Sequence, residues 1–200
     1  LAMVLLALVL SPVLGFVVGY TVHKLSHLLT RAAHPRINQK LRLAQYVTTA
    51  ALAFSHGAND AQKSMGVLTL VLVLGGFIPR FEVPFWVMLA CATAITAGIL
   101  SGGWRIVRTL GFAVFKVRPL HALDSQLTSG LVILSASMMG APVSTSHVVA
   151  TSIMGIGASE RPRRVHWGKA GEIATTWLIT LPASAAMGAL VLLALRPWVG

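Results

Sequence analysis

Long apolar blocks alternate along this chain with short polar segments, and the block lengths predict its elements. Residues 1–22 form one uninterrupted apolar block, enough to cross about 30 Å of hydrocarbon as a single helix. Residues 43–78 stay apolar for about 36 positions, or about 54 Å if helical, which is too long for one untilted crossing. This block is interrupted at Ser55-His56-Gly57-Ala58-Asn59-Asp60, so the pattern predicts two half-helices meeting at an irregular centre. Residues 79–82 read as a turn and 84–100 as another span. Residues 125–158 again exceed one crossing and are interrupted at Gly140-Ala141-Pro142-Val143-Ser144-Thr145-Ser146-His147. The pieces either side, about 14 and 12 residues, are each too short to span alone. A last span is expected over 169–195. The expected fold is an all-α membrane protein: a polytopic helical bundle with two broken or re-entrant helices in one transmembrane domain, 1–200.

Composition supports the membrane setting. Apolar residues make up 56% of the chain and charged residues 10%, with a mean hydropathy of +0.78; a soluble domain carries about 25% charged residues. The net charge of +11 would invite a nucleic-acid reading in a soluble protein. Here, however, Lys and Arg concentrate between the apolar blocks, at 24–42, 105–118 and 161–169. That is where the positive-inside rule and anionic headgroups place them, so the expected partner is the lipid bilayer and not nucleic acid. The segment 23–42 has five Lys/Arg and no acid, and is expected as a basic cytoplasmic connector. With the other two basic segments also cytoplasmic, 125–158 becomes a re-entrant hairpin tipped at Pro142 to Ser146. The single cysteine, Cys91, sits in an apolar block and forms no internal disulfide.

The two interruptions carry the chemistry. They share a layout of apolar approach, Gly-Ala, polar cluster and apolar half-helix, as in secondary transporters whose paired broken helices mark the substrate site. Of five acidic residues, Glu82, Asp124, Glu160 and Glu172 fall near span ends or in connectors, while Asp60 lies midway through an apolar block. A carboxylate at that depth costs about 2.5–3.5 kcal/mol, so it is expected to face an ion, a partner or a water-filled path, although it could simply cap a half-helix. Asn59 offers amide donors to an anion, and the oxygens of Asp60 suit a coupling cation, H+ or Na+. Lys63 and Ser64, three and four positions on, share its helical face; Lys63 either neutralises Asp60, contacts an anion or snorkels to an interface. Ser144, Thr145 and Ser146 supply three consecutive hydroxyls after Pro142, fit for an oxyanion or for interhelical packing. His56 and His147 flank the breaks as auxiliary groups, each a proton relay or a structural hydrogen-bonding residue.

Ser55 to Gly66, reading Ser-His-Gly-Ala-Asn-Asp-Ala-Gln-Lys-Ser-Met-Gly, resembles the GAND signature of the Pit/PiT inorganic phosphate transporter family, and its continuation looks like the bacterial low-affinity branch. Pro142-Val143-Ser144-Thr145-Ser146-His147 resembles the family's PVSTTH motif, with Ser146 in place of the second Thr. The segments at 102–109 and 177–182 also look like the family's. The resemblance implies an ion-coupled symporter, H+ favoured over Na+, for inorganic phosphate or metal-phosphate in the inner (plasma) membrane. It implies that phosphate is held by Asn59, Asp60, Ser144, Thr145 and Ser146, to which Ser64 is added by its place on the helical face of Asp60, with no cofactor beyond the coupling cation. Complete members carry two GAND and two STTH segments in an inverted repeat; this chain carries one of each. It therefore resembles the C-terminal half, with an N-terminal half missing and a homodimer possible, and an inactive half is the alternative. A third reading is a membrane acyltransferase, from the spacing His56-x-x-x-Asp60, but no second catalytic element accompanies it.

Overall fold

Small residues recur at every fourth position of the first apolar block, at Ala7, Ser11, Gly15 and Gly19, and His23 continues the series. In the computed structural model, which describes residues 2–31 and 37–199, this series is the buried stripe of α1 (Ala2–Thr30). Positions four apart share a helix face, and small side chains there let a second helix approach to backbone contact. That helix is α5 (Thr145–Glu160). A Cβ on Gly19 would stand 2.7 Å from the Ser152 carbonyl oxygen, one on Gly15 would collide with Thr151, and one on Gly155 with the backbone of Phe16. The other side of α1 exposes Val9, Val13 and Val17, as a lipid-facing surface would.

The hairpin of α4 (Pro119–Met138) and α5 lies between α1 and α2 (Ile37–Leu74), with α1 against α5 and α2 against α4. Pro119 opens α4 at a position where its missing N–H costs nothing. The link between the two helices turns at Gly140, whose φ of 67° is left-handed and free of strain only without a Cβ. Pro142 then disfavours helix at the residue before it, and the chain re-enters helix after the extended Ser144. The break predicted in the second long block is therefore present. The antiparallel pair returns to one end, where His121 Nε2 lies 3.4 Å from Glu160 Oε2. With 16 residues, α5 is about 24 Å long, short of a full crossing, as the expected re-entrant pair requires.

The break predicted in the first long block is absent. α2 continues as α-helix through residues 55–60 for 38 residues in all. This stretch contains no proline, and a lone glycine costs a helix only about 1 kcal/mol relative to alanine. The polar side chains at the expected break bond to neighbouring elements and leave the backbone ladder intact. The basic segment after α1 is also more helical than a connector: residues 24–30 complete α1 and 37–42 begin α2, while 32–36 lie outside the described residues.

α3 (Phe85–Arg108) packs on α2, continues into a π-helical turn (Thr109–Val114) and leads by an irregular stretch to α4. α6 (Trp167–Val199) forms a separate unit and carries a Lys169–Glu172 ion pair of 2.7 Å in its first turns. Among the described residues, three helical segments are long and apolar enough to cross a membrane: Leu6–Thr30, Phe85–Val114 and Trp167–Ala194. The fold is an all-α membrane protein, and all regular elements among the described residues are helical.

Candidate functional site

His56, Asp60 and Lys63 are spaced by four and three, so an unbroken α2 presents them on one face, against the tip of the hairpin. Asp60 is the hub. Its Oδ2 lies 3.0 Å from His56 Nε2 and accepts from Thr145 Oγ1 at 3.3 Å. Its Oδ1 accepts from Lys63 Nζ at 3.1 Å and from Asn59 Nδ2 at 3.2 Å. The side chains of Asp60, His56 and Lys63 are about one-third exposed, so the cluster opens outward. A carboxylate at bilayer depth costs about 2.5–3.5 kcal/mol, and the ammonium of Lys63 and these hydrogen bonds offset it.

The tip of the hairpin answers with a backbone acceptor and a row of donors. The Val143 carbonyl accepts from Lys63 Nζ at 2.6 Å and from Asn59 Nδ2 at 3.0 Å, and Ser137 donates to Asn59 Oδ1 at 3.4 Å. Thr145 is buried, with its hydroxyl between His56 Nε2 at 3.2 Å and Asp60. Ser144 occupies the N-cap of α5 but makes no side-chain capping bond, and its Oγ lies 3.2 Å from Ser146 Oγ. The first intrahelical bond of α5 runs from the Val148 N–H to the Ser144 carbonyl, so the N–H groups of 145–147 precede the helical ladder. Two hydroxyls beside such N–H groups and the positive end of a helix suit an anion.

Most residues expected at the site therefore converge: His56, Asn59, Asp60, Lys63, Ser144, Thr145 and Ser146. Ser64 does not. It is exposed, and its hydroxyl bonds the Asp60 carbonyl of its own helix at 3.4 Å. His147 stands in the first turn of α5, half-buried. Sequence reasoning missed the Val143 carbonyl, because a backbone acceptor carries no residue-type signal. It also missed Gln126, which holds α4 to α2 by accepting from Thr48 and donating to Thr49 at 2.8 Å. Asp124, read as lying near a span end, is in fact fully buried, with His23 Nδ1 2.7 Å from its Oδ2.

These features define a helical membrane protein whose polar site forms where a long helix meets the tip of a helical hairpin. The chain belongs to the phosphate transporter family, whose model matches residues 27–188. It is 40% identical over 186 residues to a probable low-affinity inorganic phosphate transporter of Bacillus subtilis (strain 168), covering 92% of this chain and 56% of that protein. A probable low-affinity inorganic phosphate transporter of Mycobacterium leprae (strain TN) is 35% identical over 189 residues, covering 93% and 46%. Among solved structures, one described as the sodium-dependent phosphate transporter shares the fold, with a TM-score of 0.79 at 21% identity, over 96% of this chain and 66% of that one. The chain thus spans about half the length of the relatives it matches. Those relatives are transporters, not enzymes.

Proposed function

We propose that this chain forms one half of an inverted-repeat symporter that carries inorganic phosphate, together with protons, across the inner (plasma) membrane. The observation that supports it most is the meeting of Asp60 and Thr145, because it joins the two motifs that the family resemblance singles out. In this reading Ser144, Thr145, Ser146 and the first N–H groups of α5 take the phosphate oxygens, and neutral donors release the ion more readily than a cluster of fixed cations would. Asn59 and Lys63 leave the Val143 carbonyl to join them. Asp60 is the coupling group, and its repulsion for phosphate is offset by Lys63 and His56. A metal-phosphate complex would use the same donors, with Asp60 on the metal.

Protons are put ahead of Na+ on the bacterial-type continuation Ala61-Gln62-Lys63-Ser64. The ammonium of Lys63 occupies one Asp60 oxygen at 3.1 Å, so any coupling cation at Asp60 competes with that contact. The basic segments around 24–42, 105–118 and 161–169 set the cytoplasmic side. A second GAND and STTH pair, from the remaining half of the relatives' length, would complete the site, and homodimers would be assembled from such complete units. An Asp60→Asn variant of the complete transporter is expected to reach the membrane at normal levels and lose at least about 90% of radiolabelled phosphate uptake. Near-normal uptake would sink the assignment. If the chain is an inactive half by itself, proteoliposomes take up phosphate only when the other half is co-expressed.

A further inference from the structure

Away from the Asp60 cluster, a second polar system runs through the bundle interior. Ser152 of α5 lies 2.9 Å from Ser125 Oγ and 3.0 Å from Ser129 Oγ of α4. One position before Ser125, Asp124 is wholly buried and holds His23 of α1 at 2.7 Å. Both residues keep an unused polar atom in the interior: His23 Nε2 and Asp124 Oδ1 have no hydrogen-bond partner. The His23 ring sits 4.9 Å from the His121 ring, edge to face, and 6.2 Å from that of His27. His121 in turn lies 3.4 Å from Glu160, which also has Arg118 at 3.6 Å. His23, His27, Asn38, Arg118, His121 and Glu160 line one cavity of about 290 Å³. At about 30 Å³ per molecule, that space admits several waters. The groups facing His23 are therefore His27 from α1, His121 and Asp124 from α4, Glu160 from α5, and Arg118 from the segment before α4.

We propose that the His23–Asp124 pair is a further proton-binding site, loaded from the water of this cavity, and that it carries a second proton coupled to phosphate transport, in addition to the cation at Asp60. With neutral His23 donating Nδ1–H to the Asp124 carboxylate, the pair bears one buried negative charge, which the low-dielectric interior penalises. The proton enters at His23 Nε2 by way of water, and the loaded pair, an imidazolium against a carboxylate, is net neutral. Release reverses the step and returns the proton from Nε2 to water. The pair bridges α1 and α4 beside the glycine-lined contact of α1 with α5, so its charge bears on the packing of the helix that carries Thr145. His121, in the first turn of α4 and outside the three candidate spans, walls the cavity and does not carry the proton. Its Nδ1 accepts from the Arg118 backbone N–H at 3.1 Å, which leaves the ring proton on Nε2, toward Glu160. Burial pushes the imidazole down to about 4, against an opposing pull from Glu160, so near neutral pH it stays uncharged beside His23.

The inference rests on the phosphate reading only for what is coupled, and the experiment separates the two. The complete transporter is labelled with 15N-histidine, and the His23 resonance, assigned by its absence in His23→Gln, is followed from about pH 5 to 9, the range in which histidine titrates. Proteoliposomes then report phosphate accumulation driven by a pH gradient and phosphate exchange at equal pH. His23 is expected to titrate in the wild type, with its midpoint moved by more than about one pH unit in Asp124→Asn. In Asp124→Asn, accumulation is expected to fall at least tenfold, while exchange falls no more than about threefold. A His23 resonance flat across the range overturns the proposal, as does wild-type accumulation indifferent to the pH gradient. Equal loss of accumulation and exchange also overturns it, since that marks a packing role. If single variants fail to fold, His23→Gln with Asp124→Asn keeps a neutral hydrogen bond between α1 and α4 and carries the comparison of accumulation with exchange. Absence of exchange in the wild type refutes the phosphate reading, and the histidine titration still decides the proton site.

Discussion

The hydroxyl of Thr145 donates to Asp60 Oδ2 at 3.3 Å across 85 positions of sequence. This contact, with the two bonds to the Val143 carbonyl, ties a continuous helix to the tip of a broken one. A substrate that takes the hydroxyls at the tip must loosen it, and occupancy of the site is thereby linked to the separation of α2 and α5.

Removing that hydroxyl tests the link. Thr145→Val preserves shape but leaves Asp60 with one fewer donor and the tip with one fewer ligand. A hydrogen bond to a charged group is worth about 1.5–3 kcal/mol, so phosphate uptake in cells lacking other phosphate transporters is expected to fall about 10- to 100-fold. Thr145→Ser, which keeps the hydroxyl, is expected to stay within about threefold of wild type. Equal uptake by both variants would show that the hydroxyl is not used.

The glycines of this chain divide by what surrounds them, and stability measurements should recover the division. A Cβ on Gly155 meets the backbone of Phe16, which no rotamer change relieves, whereas none on Gly57 meets any atom within 4 Å. Gly155→Ala is expected to lower the melting temperature in detergent by at least about 5 °C, as overpacking costs about 1–3 kcal/mol. Gly57→Ala is expected to hold or raise it, since alanine favours helix by about 1 kcal/mol. Thermal shift on size-exclusion chromatography reads both.

This contrast also shows what could be read from the sequence. The membrane class, the blocks and the break at Gly140 to Ser144 were legible because proline and a left-handed glycine act locally. Gly57 misled because a glycine with no proline nearby permits a break without imposing one. The choice fell to Asn59 and Lys63, whose side chains reach Val143, 84 and 80 positions away. Asp60, Thr145 and the hydroxyl row were legible as chemistry that an apolar block does not tolerate idly. Asp124 was not, because its partner His23 lies 101 positions earlier on another helix, and only the fold brings them together.

Gly140 should tolerate no side chain without cost. Its φ of 67° is left-handed, and a Cβ there costs about 1–2 kcal/mol. Gly140→Ala is expected to lower phosphate uptake by about 5- to 30-fold with membrane levels at least half of wild type. Gly140→Asn, a residue that visits the left-handed region more readily, is expected to recover part of the loss. Identical uptake by the two variants would mean that the backbone turn does not position the tip.

Lys63 gives the sharpest test of the coupling ion. Its Nζ bridges Asp60 Oδ1 at 3.1 Å and the Val143 carbonyl at 2.6 Å, so it holds a positive charge beside the carboxylate proposed as the coupling group. With Lys63 in place, wild-type uptake is expected to be insensitive to replacing Na+ by choline and to collapse on addition of a protonophore. Lys63→Gln removes the ammonium, keeps a donor, and leaves one face of Asp60 open to a cation of similar charge. Uptake by this variant is expected to fall at least tenfold at low phosphate, and external Na+ is expected to restore part of it by occupying the vacated position. Sodium dependence already present in the wild type would place the coupling cation beside Asp60 together with Lys63 and would overturn the proposed coupling to protons.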